Sequence, residues 1–147
     1  MADSQHTAEL NQLLGALARS LVQYVGECWP WTRVEAEDER RTIDEIVERQ
    51  QRQIAALADL IMGRGTIAEF GTFPTEFTDL HYVALDYLLD QLIADERSLV
   101  AAIESAAGAC SDDAEAADLL KQLLAEEQEN AATLEKLATL RAAGSAV

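Results

Sequence analysis

Four polar side chains stand where apolar ones belong. In the series Leu120, Leu123, Glu127, Asn130, Leu134, Leu137 the members follow at three-to-four spacing, so Glu127 and Asn130 fall on the buried face of one helix. A second series, Leu85, Leu89, Leu92, Glu96, Leu99, Ile103, is interrupted by Glu96, and a third, Ile43, Val47, Gln50, Ile54, Leu57, by Gln50. A buried carboxyl group without a partner is costly and tends to take up a proton. Two chemistries suit two acids and two amides at one depth. They can form a closed hydrogen-bonded network, with or without a shared proton. Alternatively Glu96 and Glu127 can hold one metal ion with water and an amide oxygen, and an oxygen-rich set of this kind favours a hard divalent ion over zinc.

Other reactive side chains fit less well. Glu45 and Glu48 point more than a right angle away from the stripe centre and read as solvated, and Glu27 lies at the edge of the first stripe. The inside of the first helix reads as apolar side chains plus Gly15. His81 falls on the stripe of Glu96, but fifteen helical residues separate the two by about 22 Å, too far to share a metal. His6 is near the N-terminus and is expected to be disordered. Cys28 and Cys110 lack CxxC spacing and read as separate thiols.

The elements that must position these residues are four helices. Leu10, Leu14, Leu17, Leu21, Tyr24 and Cys28 predict a first helix over about 7–28, stopped by Trp29-Pro30-Trp31. Thr32 and Glu35 stand in capping-box spacing before a second helix over about 33–62, with Trp31 placed as a staple and Gly63 and Gly65 as the stop. The third is expected over about 76–107 and the fourth over about 112–141, parted by Gly108. Residues 64–76 have no helical period. About 13 extended residues reach roughly 40 Å, close to the length of a helix of nearly 30 residues, so this link can cross the bundle lengthwise. The expected fold is all-α, one antiparallel four-helix bundle spanning 1–147, with a long crossover between helices two and three.

The segment from Glu126 to Glu135 resembles the last-helix metal segment of bacterioferritins and rubrerythrins, in which Glu-x-x-His is followed by an apolar heptad. Glu127 matches the family's Glu, and Asn130 stands at its His. Glu96 matches the single inward Glu of helix three, whereas Val47-x-x-Gln50 stands in the register of the other Glu-x-x-His. The resemblance covers about residues 7–141 in layout and implies a ferritin-like bundle with a degenerate diiron motif. A complete site of that kind takes one Glu from each of two helices and a Glu-x-x-His pair from each of the other two.

Composition narrows the partners. Eleven basic and 27 acidic residues give a formal net charge of −16, which repels nucleic acid and anionic membranes. No apolar run approaches 18 residues and no signal-peptide pattern is present, so a cytoplasmic protein is expected. Aliphatic residues off the stripe centres, Val22, Leu60 and Leu124, point to a homodimer built on helices one and two. The aromatics Trp29, Trp31, Phe70, Phe73 and Phe77 gather in the connections, where they cap the bundle or meet a second subunit. The leading functional expectation is a ferritin-like protein without a complete diiron site, working through binding or assembly, with no cofactor. The alternative is a divergent metal-dependent oxidoreductase or ferroxidase using iron or another divalent metal at Glu96 and Glu127.

Overall fold

Ser20 divides the first apolar stripe into two helices. The computed structural model describes residues 2–28, 37–82 and 85–145. In it α1 covers Ala2–Ala18 and α2 covers Leu21–Glu27. The single helix expected over 7–28 is therefore corrected. Ser20 takes an extended conformation and its hydroxyl accepts the Gln23 N–H at 3.3 Å, capping α2. The break also frees the Leu21 N–H, which donates to the Asp95 carboxyl at 3.0 Å.

The remaining helices are α3, Glu37–Gly63, α4, Leu85–Ala109, and α5, Ala114–Ser145. The expected capping box at Thr32 and Glu35, with Trp29 and Trp31, lies outside the described residues. Helix α4 starts later than expected, because Thr75–Tyr82 forms a 3-10 helix. There the Phe77 N–H reaches back three residues to the Pro74 carbonyl, and the Thr78 hydroxyl donates to the Thr75 carbonyl at 2.7 Å. The hydroxyl thus occupies a carbonyl that an α-helix would use four residues on. Helix α5 passes through Gly144 rather than ending before it.

Contacts along the helices set the directions. Arg141 meets Asp86 and Arg97 meets Glu135, so α4 and α5 are antiparallel. Arg49 meets Asn130, Gln53 meets Glu126, and Arg64 meets Asp113, so α3 and α5 are also antiparallel. Ser20 touches Gln50 while His6 reaches Asp113 beside Arg64, which makes α1 and α2 run against α3. Helix α4 packs on α5, α1 and α2 pack on α3 and α4, and α3 packs on α5, which leaves α3 and α4 diagonal and parallel. Two antiparallel hairpins joined by a lengthwise crossover meet these relations.

The crossover follows α1 along its length. Asn11 accepts the Glu69 N–H at 2.8 Å and donates to the Ile67 carbonyl at 3.0 Å. Further on, Arg19 donates to the Phe70 and Gly71 carbonyls and its guanidinium lies 4.8 Å from the Phe73 ring centre. Phe73 and Phe77 then pack on Tyr24 with ring centres 5.3 and 5.5 Å apart. These two rings face the chain's own core, whereas Phe70 is partly exposed. Gly71 turns the strap with φ at +71°, a conformation open to glycine.

Two apolar clusters fill the bundle. One gathers Leu10, Leu14, Leu57, Leu99, Ile103 and Leu120, the other Leu21, Ile43, Ile46, Leu89, Leu92 and Leu134. Gln50, Glu96, Glu127 and Asn130, each fully buried, lie between them in sequence on every helix that carries them.

Candidate functional site: a buried amide and carboxyl network

Gln50 is the hub. Its Nε2 donates to Glu96 Oε1 at 2.6 Å and to Glu127 Oε2 at 3.0 Å, while its Oε1 accepts from Gln23 Nε2 at 3.1 Å and the Ser20 hydroxyl at 3.3 Å. On the far side Asn130 Nδ2 donates to Glu127 Oε1 at 3.2 Å, and Asn130 Oδ1 accepts from Arg49 at 2.6 Å. All four residues expected at one depth are therefore brought together.

The outer partners fix which way each amide faces. A guanidinium only donates, so the Asn130 oxygen must turn to Arg49 and its nitrogen to Glu127. Gln23 Nε2 also donates to the Val47 carbonyl at 3.1 Å, which only accepts. That orients Gln23, and through it turns the Gln50 oxygen outward and its nitrogen onto the two acids. From both sides, N–H groups converge on the carboxyl pair.

Glu96 Oε2 has no donor among the described residues. The Glu96 and Glu127 carboxyls are in hydrogen-bond contact, which requires one proton between the two acids. Burial pushes the Glu96 carboxyl up to about 10, the contact with Glu127 adds to the rise, and the Gln50 N–H only partly opposes it. Glu96 is thus held as a neutral acid beside Glu127 at neutral pH. Asp95 is also raised, first by burial, against the lowering effect of the Leu21 N–H.

Several members of this network were not anticipated. Ser20 and Gln23 follow Leu17 at three-residue steps on the first stripe, so the inner side of α1 and α2 is not solely apolar; Asn11, Ser20 and Gln23 are all buried there. That signal was present in the spacing. Arg49 lies one residue off the α3 stripe and enters by its length. His6, expected to be disordered, is instead buried, its Nε2 3.1 Å from Asp112 and its Nδ1 3.4 Å from Asp113. The His81 backbone belongs to the 3-10 helix, and its side chain is outside the described residues. Cys28 is exposed and Cys110 buried, both free.

The family model for the ferritin-like domain matches residues 7–142. The chain belongs to the ferritin-like domain family. No curated protein matches it. Diiron members of such bundles place six ligands, two of them imidazoles, at one depth. At the corresponding depth of this ferritin-like chain are two acids, with Gln50 and Asn130 presenting N–H to them. Among the described residues no three His, Cys, Asp or Glu side chains cluster as a metal would need. Amide N–H groups cannot ligate a cation, so this donor set does not fit a diiron pair. No described helix is long and apolar enough to cross a membrane.

Proposed function

We propose that this ferritin-like chain has replaced the diiron centre by hydrogen bonds and acts through binding or assembly rather than redox chemistry. The observation that carries the reading is the Gln50 Nε2 donating at once to Glu96 and Glu127, the place and role a bridging cation would otherwise have. A protonated Glu96 completes the replacement, because one proton and three amide N–H groups offset the buried acids without a metal. No resident cofactor belongs to this account. The network ties α2, α3, α4 and α5 together through side chains and specifies their depth, leaving the outer surface to do the work.

Assembly remains part of the proposal with a revised surface. Val22 is fully buried within the chain and cannot serve a dimer contact. Leu60 and Leu124 remain half-buried, and Met62 and Ile67 are exposed where α3 meets the crossover. Aerobic titration with ferrous ion tests the functional reading. The protein should not speed iron oxidation beyond buffer, whereas oxidation that is accelerated by the protein and abolished by Glu127→Ala would contradict it.

A further inference from the structure

Above the network, α3 and α5 leave a groove of about 490 Å³ whose two walls carry opposite charge. Arg49 and Arg52 stand on the α3 wall, and Glu126 and Glu129 on the α5 wall. Neither arginine forms an ion pair among the described residues, although the chain carries 27 acidic residues against 11 basic ones. Arg49 makes one hydrogen bond, to the neutral Asn130 amide, and keeps most of its fork of donors for other acceptors.

Gln53 ties the floor of the groove to the α5 wall. It is only 3% exposed, and its Nε2 donates to Glu126 at 2.7 Å, which fixes the amide orientation. Its Oε1 is then left as a buried acceptor with no donor among the described residues, within a residue that lines the groove. The groove therefore asks for a negative group toward α3 and a positive one toward Glu126 and Glu129 of α5. Leu119, Leu123 and Ala56 add an apolar side.

We propose that this groove binds a small aliphatic α-amino acid, its carboxylate on Arg49 and Arg52 and its ammonium group on Glu126 and Glu129 of the acidic α5 wall. A simple anion would meet the repulsion of a chain at −16, and a simple cation would find many acidic sites. A zwitterion has no net charge to be repelled, and two opposite poles are what the walls distinguish. The volume lies within the ordinary range of small-molecule sites. The site goes beyond the reading of the central network and does not depend on its metal content.

Calorimetric titration of the full chain with L-leucine tests the proposal, with isovalerate and isoamylamine as single-charge controls. Saturable binding of one L-leucine per chain is expected, with neither control saturating. The exposed substitutions Arg52→Gln and Glu129→Gln should each weaken binding at least about tenfold, and Arg97→Gln, on another face, should not. The proposal is overturned if L-leucine gives no saturable binding, if either control binds as well, or if both groove variants bind like the parent. Circular dichroism of each variant confirms that loss of binding is not loss of fold.

Discussion

Replacing Glu96 by Gln should stabilise the protein at neutral pH, by an amount that grows with pH. The native Glu96 carboxyl accepts from Gln50 through Oε1 and faces Glu127 through the other oxygen, carrying a proton at any pH below about 10. An unfolded Glu releases that proton above 4.5, the ordinary value from which Glu96 is raised. Between those limits the folded chain binds one proton more than the unfolded chain, so stability falls as pH rises, by about 1.4 kcal/mol per unit. From 4.5 to 7 this amounts to about 3 kcal/mol, and the figure requires only that the folded value exceed the working pH. Gln at this position accepts through Oε1 and donates to Glu127 through Nε2, reproducing both contacts with no proton to take up. Urea unfolding of parent and Glu96→Gln across pH 4 to 8 measures the difference. The two should be nearly equal near pH 4.5, with the variant ahead by about 3 kcal/mol at pH 7, or roughly 6 to 12 °C in Tm for a domain of this size. A gap that stays flat with pH, or a variant less stable at pH 7, would show that native Glu96 is ionised and refute the reasoning.

Asp113→Asn should destabilise at pH 7 and make little difference near pH 2. The Arg64 hydrogen bonds, helped by the Ala116 N–H and His6, hold Asp113 down to about 2 from 3.8, so its contribution is present above 3.8 and lost as pH falls through 2; acid unfolding curves compare the two proteins. Gly71→Ala should cost about 1 kcal/mol because φ there is +71°, whereas Gly108→Ala in α4, where an added Cβ meets nothing within 4 Å, should be neutral or mildly stabilising by thermal melts. Sedimentation at micromolar concentration should show a homodimer, weakened by Ile67→Lys at the exposed crossover residue; a strictly monomeric parent would remove assembly from the functional reading.

The central residues were legible because burial leaves a periodic trace. Glu96, Glu127, Asn130 and Gln50 each interrupt a run of aliphatic residues, and only an inward position makes such an interruption visible. The crossover was legible from length, since 64–76 is too long for a turn and lacks a helical period. What spacing could not reveal was tertiary. The break before Ser20 is supported by Asp95, 74 residues away, which takes the Leu21 N–H. His6 is ordered by a pair of aspartates at the start of α5, more than a hundred positions on. The 3-10 segment also packs Phe77 on Tyr24, a distant contact that local propensity does not encode. The direction of each amide follows from Arg49 and Val47 at the ends of the chain of hydrogen bonds, partners that a helical wheel treats as separate faces.

The metal content of the protein purified without added metal tests the central claim most directly, because the account puts hydrogen bonds where a diiron pair would need ligands. Element analysis by mass spectrometry, related to protein concentration by amino-acid analysis, should find iron and other transition metals well below one atom per chain. Iron near two atoms per chain, lost together with stability in Glu127→Ala, would contradict the claim and make Glu96 and Glu127 ligands of a working centre.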